Sequence, residues 1–557
     1  MLDLAGARVV CRALPTGGWE LTHPDPLRPP ARAVGVWLDQ WARERPDTLF
    51  LGEPDGEQVS YAEARARVGR LAQGLLNRGL TAQDTVIIVA ENSVAHALVA
   101  LAAMHVGVAV CTLAPDWVRS APDAPRVARV LDTLRPALIV GEHGGSAVPL
   151  QDLTTPAETT AVGARMADVG RATVARYLLT SGSTSAPKLV ATTHGMLTAN
   201  QQQMAQVWPF VTNGPLVLLD WLPWSHTFGA SHNLHLALAN GGTFWIDDGR
   251  PTVSRVWRTV ANMQRVRPTL YFSVPRGFDA LLPHFERDAA FAHAVLGGLD
   301  GMFCAAAALS PATHARYRAL ATRHCRPDLW FGAGWGSTET APAATLVSWP
   351  DAPVECIGLP LPGERLRLVP VDNKFELRVR GPNITSGYLG ADALTADAFD
   401  TDRFWKSGDA AAFIDAADPT RGLRLDGRLA EDFKLSSGTW VSVGPLREQA
   451  LARLGEYISE VIVCSPDRAD VRLLCFPSDH GLLAGAAKVQ SHIDSVLDAW
   501  RVEERGSSRV PVRGVVERRP LESSLGEITA KGYVNQHVVR ERRRDAVDAL
   551  YNLATEA

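Results

Sequence analysis

The chain has 557 residues, with 56 Lys and Arg against 60 Asp and Glu and a formal net charge of -4. That length exceeds one ordinary core and points to a large domain plus a smaller one, while basic residues spread along the chain provide no field for nucleic acid. No apolar run reaches the roughly 20 residues of a membrane span, and the opening MLDLAGARVVCRALP lacks the pattern of a secretion signal, so a cytoplasmic protein is expected.

Seven cysteines without paired CxxC spacing fit reduced thiols and suggest no metal cluster. Only six lysines occur, at 188, 374, 406, 434, 488 and 531, with arginine carrying the rest of the positive charge. Where lysine persists in such a chain, a compact ammonium is suggested that a planar guanidinium does not replace.

In chain order, residues 7–12 read as a strand, 24–30 as a Pro-rich connector and 34–45 as a helix. From Ser60 the pattern becomes helix (61–78), strand (85–90), helix (93–105) and strand (108–113), the alternation of an open α/β sheet. Asn92 and Ser93 are candidate caps for the second helix.

The stretch 177–194, YLLTSGSTSAPKLVATTH, follows as a buried strand that breaks into a loop of small hydroxyl-bearing residues and resumes as a β-like run after Lys188. Backbone N–H groups, the hydroxyls of Thr180, Ser181, Ser183 and Thr184, and one ammonium can surround a polyphosphate, with Gly182 letting the backbone approach. A Walker-type loop is disfavoured, because Pro187 and Leu189 flank the lysine and a strand follows it.

This stretch resembles the signature loop of the adenylate-forming superfamily, which includes acyl-CoA synthetases, firefly luciferase and peptide-synthetase adenylation domains. One position departs: Ser185 stands where that family usually has glycine. The resemblance implies an α/β fold, with a large N-terminal domain of α/β sheets and a barrel-like part (residues 1–428) that binds ATP and the acid. A small mobile α+β domain (429–557) would carry the catalytic lysine.

Further motifs follow in family order. In LVLLDWLPWSHTFGASHNLHLALANGGTFWIDDG (216–249), the resemblance makes His226 the residue that gates the acid pocket, while His232 and His235 read as packed core. The run 302–308, MFCAAAA, reads as a buried strand leading to the loop that lies along adenine, with Ala307 in that contact. In LWFGAGWGSTETAPAA (329–344), Thr338 offers a hydroxyl for phosphate and Glu339 a carboxylate for Mg2+. Gly336 and Ser337 form the turn, and Trp335 stands where the family commonly stacks an aromatic on adenine.

In RFWKSGDAAAF (403–413), Asp409 is placed at a strand start. The resemblance gives it the ribose hydroxyls, since a carboxylate offers two acceptor oxygens to two adjacent donors. Asp426, Gly427 and Arg428 mark the passage between domains, with Arg428 also reaching ribose. Ala430 stands where a charged hinge residue is usual. Lys434 is a further candidate for cofactor binding. The small domain is expected to show strands at 461–464, 471–476 and 510–516 and a helix over 486–500. Near its end, Lys531 is assigned as the lysine that bridges the carboxylate and the α-phosphate.

DWLPWSHTFGASHN, GSTETAPAA, EDFKLSSGTWVSVGPLR and GEITAKGYVNQ are similar to stretches of feruloyl-CoA synthases. The resemblance therefore implies an aryl or hydroxycinnamate-like acid, ATP with Mg2+, and CoA as the acceptor. Three other readings stay open: transfer to a carrier protein or an amine, activation of nitrite to diazotise an aryl amine, and a degenerate adenylate-binding regulatory module.

Overall fold

The computed structural model describes residues 2–557 except 120–123, 143–146, 154–155, 181–187, 438, 465, 467, 505, 507, 523–524, 529–533 and 553–557. Ser181, Gly182, Ser183, Thr184, Ser185 and Lys531 thus lie outside the described residues.

Local signals shape the first α/β unit. Ser60 and Glu63 form a reciprocal capping box that starts the helix Tyr61–Asn77, and the Ser93 hydroxyl caps the helix Val94–His105. Asn92 does not cap that helix through its side chain; its carboxamide instead grips a loop 130 residues away, described below. The strands Leu138–Gly141, Thr85–Val89, Ala109–Leu113 and Val174–Thr180 lie parallel in that order, and Lys188–Thr193 closes the sheet as an antiparallel partner of Val174–Thr180. The central strands Thr85–Val89 and Ala109–Leu113 are buried along their whole length, as suits a sheet covered on both faces.

A second sheet of 15 strands runs through the rest of the large domain. One part is parallel, with neighbours Thr243–Ile246, Val217–Asp220, Leu270–Ser273, Gly301–Cys304 and Trp330–Gly336. Beyond Trp330–Gly336 the pairing turns antiparallel. Trp335 shares one core cluster with Leu21, Leu368 and Leu377, although its strand lies several places away from theirs in the sheet order, so this portion curls on itself as the barrel-like part. The two sheets and their helices bury a common core around Val86, Leu98, Leu236 and Phe244.

The C-terminal domain is α+β. Strand Arg472–Pro477 pairs antiparallel with Ile458–Cys464 and parallel with Arg513–Val516. Helices Val443–Leu454 and Ala486–Glu503 bury Leu446, Ile493 and Trp500 on one core, and the last helices bury Val539 and Leu550 on another. The expected strand over 302–308 ends early, at Cys304, because Ala306 takes φ of 75°, a left-handed conformation that no strand continues through. None of the helices among the described residues is long and apolar enough to cross a membrane.

Candidate active site

Of the sequence-predicted groups, Thr180 ends the parallel strand Val174–Thr180 and Glu339 follows the end of the strand Trp330–Gly336, the kind of edge at which open α/β sheets place ligands. Thr180 and Lys188 face each other as the last register pair of the hairpin, so the hydroxyl-rich stretch 181–187 is the link between them. Lys188 Nζ sits over the ring of Tyr388, 4.9 Å from its centroid. The Tyr388 hydroxyl in turn donates to Glu339 Oε1 at 3.0 Å. Burial, with the Glu339 charge second, pushes the Tyr388 phenol well above its ordinary pKa, so it stays protonated and remains a donor.

Glu339 is held by a short turn, Thr338–Thr340, whose N-cap is Ser337. Ser337 Oγ accepts from the Glu339 amide at 3.2 Å, and the Ser337 amide donates to Thr340 Oγ1 at 2.9 Å. Gly336 is required before this turn, because a Cβ there would lie 1.8 Å from the Pro342 carbonyl oxygen. Buried amides brace the turn from behind: Asn383 Nδ2 donates to Thr340 O (2.7 Å) and Ala343 O (3.0 Å), and Asn200 Nδ2 donates to Ala343 O at 2.8 Å. Thr338 and Glu339 are both buried. With Oε1 taken by Tyr388, Glu339 Oε2 has no hydrogen-bond partner among the described residues. One buried carboxylate with a spare hard oxygen fits Mg2+, which needs few protein ligands and takes the rest from water and phosphate.

Asp409 is clamped from two sides. Trp335 Nε1 donates to its Oδ2 at 2.9 Å, and Arg428 Nε lies 3.1 Å from Oδ1. Asp409 does not open a strand as expected; it lies within Trp405–Phe413, beside a bulge in the pairing with Leu423–Arg428. Trp335 is buried, its ring packed against Trp405 at 6.5 Å between centroids. Its indole N–H thus serves the carboxylate, and little of its ring surface is open to a purine.

His226 lies half-buried in the loop after Val217–Asp220, its amide donating to Pro223 O at 3.0 Å. A π-helical turn, Phe228–Asn233, follows before the helix Leu234–Asn240, a device common at functional sites. Asn92 fastens this loop from the first sheet: its Nδ2 donates to Leu222 O at 2.9 Å and its Oδ1 accepts from the Trp224 amide at 3.0 Å. His232 and His235 are buried as expected. Ala307 stands half-buried just past Cys304. Lys434 lies in the small domain with its ammonium over Trp440, 4.8 Å from the centroid, and is not joined by any described contact to the Glu339 group.

Sequence reasoning passed over Tyr388 and Asn383, and it gave Asn92 the role of a helix cap instead of its grip on the loop at Leu222 and Trp224. The only local signal for the first two was the turn-rich GPNITSGYLG, whose partners lie about fifty residues upstream at Glu339 and two hundred upstream at Lys188.

Comparison with known proteins adds an independent finding. Residues 38–389 match the AMP-binding enzyme family. The chain is 27% identical to a probable non-canonical nonribosomal peptide synthetase, CymA of Salinispora arenicola, over 71% of its own length, but it spans only 5% of that protein. It is 27% identical to a feruloyl-CoA synthase of Amycolatopsis over 68% of this chain and 76% of that one. The fold is shared with the anthranilate CoA ligase AuaEII solved in complex with anthranoyl-AMP, with a TM-score of 0.72 and 17% identity over 94% of this chain and 99% of the other.

Proposed function

The chain belongs to the AMP-binding enzyme family and is an AMP-forming ligase, and from that premise we propose that it adenylates an aryl or hydroxycinnamate-like carboxylic acid with ATP and passes the acyl group to CoA. The observation that carries this reading is the convergence of Lys188, Tyr388 and Glu339, with Asp409 held by two donors within the strand Trp405–Phe413. The similarity to a feruloyl-CoA synthase supports the choice of acid and acceptor.

The acid and ATP repel each other as anions, so the site must spread the phosphate charge. Bound Mg2+, held by Glu339, would supply a Lewis acid for the phosphate oxygens. Lys188, the hydroxyl of Thr180 and the link 181–187 would surround the triphosphate. Asp409 would accept the ribose hydroxyls and Ala307 would flank the adenine. His226 would border the acid carboxylate, and Lys531 would bridge it to the α-phosphate. A carboxylate oxygen attacks the α-phosphorus, pyrophosphate leaves, and an acyl-AMP mixed anhydride remains. After rotation of the small domain about residues 426–430, the CoA sulfur attacks the acyl carbon and AMP leaves with the bonding pair, giving the thioester.

Incubation with ATP, Mg2+ and a panel of hydroxy- and aminocinnamates and benzoates tests this, with CoA, with nitrite and with neither, products being read by mass spectrometry. A CoA-dependent aryl thioester supports the reading. A diazo product formed only with nitrite, or acyl-AMP that yields thioester only with a carrier protein, overturns the assignment of acceptor.

A further inference from the structure

The segment that carries Tyr388 is stitched to both halves of the site at once. Its backbone bridges Val190, and the Leu389 amide donates to Leu189 O at 2.8 Å, which ties it to the strand that opens with Lys188. Three residues earlier, the Thr385 amide donates to Glu339 O at 2.8 Å, which ties it to the turn of the carboxylate. Gly387, at φ of 146°, lets the chain pass Thr395, where a Cβ would meet Cγ2 at 2.2 Å. Tyr388 is 8% exposed.

Its side chain therefore stands between an ammonium and a carboxylate. Among the described residues, no carboxylate pairs with Lys188 and no cation pairs with Glu339. A ring face attracts an ammonium through its quadrupole without neutralising it, and a phenol O–H holds a carboxylate without taking its charge. If the two charges met in this buried place, each would cancel the other before any nucleotide arrived.

We propose that Tyr388 is a positioning residue that keeps Lys188 and Glu339 apart and aimed, so that the ammonium remains free for phosphate and the carboxylate for a divalent cation. This rests on the roles given above to Lys188 and Glu339. The ring acts on the lysine and the hydroxyl on the carboxylate, so the two functions separate by substitution.

The test measures binding, without turnover, on the full chain. Mn2+ affinity is read by electron paramagnetic resonance in the presence of a non-hydrolysable ATP analogue, and affinity for that analogue by calorimetry. Tyr388→Phe keeps the ring and is expected to weaken Mn2+ several-fold with nucleotide affinity little changed. Tyr388→Ala is expected to weaken both by tenfold or more, and in that background Lys188→Met is expected to cost much less than it does in the parent. Equal Mn2+ affinity in Tyr388→Phe and parent, or full additivity of Tyr388→Ala with Lys188→Met, overturns the proposal. Should Tyr388→Ala fail to fold, the Tyr388→Phe pattern alone decides. If Lys188→Met and Glu339→Gln themselves leave both affinities unchanged, it is the reading of the site that fails.

Discussion

Lys374 and Asp432 meet in a buried ion pair, their side chains 4% and 6% exposed, that straddles the passage from the large domain to the small one. The same ammonium donates to Asp426 O at 2.6 Å, and Asp432 Oδ1 accepts the Val443 amide at 2.9 Å as the first helix of the small domain begins. One lysine thus holds both sides of residues 426–432. Gly427, at φ of 90°, lies against Gly444, where a Cβ would come within 2.9 Å of the Gly427 Cα. Burial raises the Asp432 carboxyl above its ordinary pKa, and Lys374 partly offsets that rise.

Lys374→Met leaves Asp432 as a buried charge without its counterion, so a loss of about 3–5 kcal/mol is expected. Limited proteolysis should then cut within residues 426–443 far faster than in the parent. The pair Lys374→Met with Asp432→Leu should regain most of the lost stability, since no orphaned charge remains. Unchanged unfolding in Lys374→Met would show that the pair is not a fastening.

Trp335→Phe keeps an aromatic ring but removes the N–H that holds Asp409 Oδ2. A hydrogen bond to a charged group contributes about 1.5–3 kcal/mol, so KM for ATP should rise on the order of tenfold while KM for the acid changes little. Steady-state kinetics with each substrate varied in turn checks this. An equal rise in both constants would point to general damage.

Gly336→Ala puts a methyl group into the carbonyl of Pro342, so the turn presenting Thr338 and Glu339 cannot close as it stands. Adenylation should fall at least a hundredfold while thermal unfolding shifts modestly, because the change is confined to one turn. Acid-dependent pyrophosphate exchange alongside calorimetry separates the two effects.

Stability should fall in acid between about pH 6.5 and 4. Burial lowers His96, His194 and His232 from 6.5 to about 4, so in that window the unfolded chain binds protons there that the folded chain refuses. Stability from these groups is present above 6.5 and is lost as the pH drops through about 4. Asp220 works against them. Burial raises it from 3.8 to about 7, so the folded chain binds its proton more tightly, and that stability is present below 3.8 and lost as the pH rises through about 7. Asp220→Asn should therefore steepen the acid limb and flatten the profile between pH 6.5 and 8. Urea unfolding across pH 4.5–8 reads both slopes, and parallel curves for variant and parent would contradict the assignment to Asp220.

What the sequence made legible was local. The hairpin around Lys188 announces itself by an apolar run, a cluster of turn residues and a second β-like run, and the helix from Val94 by its cap Ser93. Ala305, Ala306 and Ala307 misled because alanine does not mark a strand end, whereas Ala306 takes a left-handed φ of 75° that stops the strand. Asp409 sits inside a strand rather than at its start, a register decided by pairing with Leu423–Arg428. Tyr388 and Lys374 were hidden for a related reason. Each acts on partners about fifty residues or more away, and only the folded chain brings them together.

Acid-dependent exchange of labelled pyrophosphate into ATP, in the parent chain and in Glu339→Gln and Lys188→Met, isolates the adenylation half-reaction on which everything else depends. The account predicts exchange with at least one hydroxycinnamate or related aryl acid, abolished or reduced a hundredfold or more in each variant. Absence of exchange with every such acid in a chain shown to bind ATP, or full exchange in both variants, would contradict it.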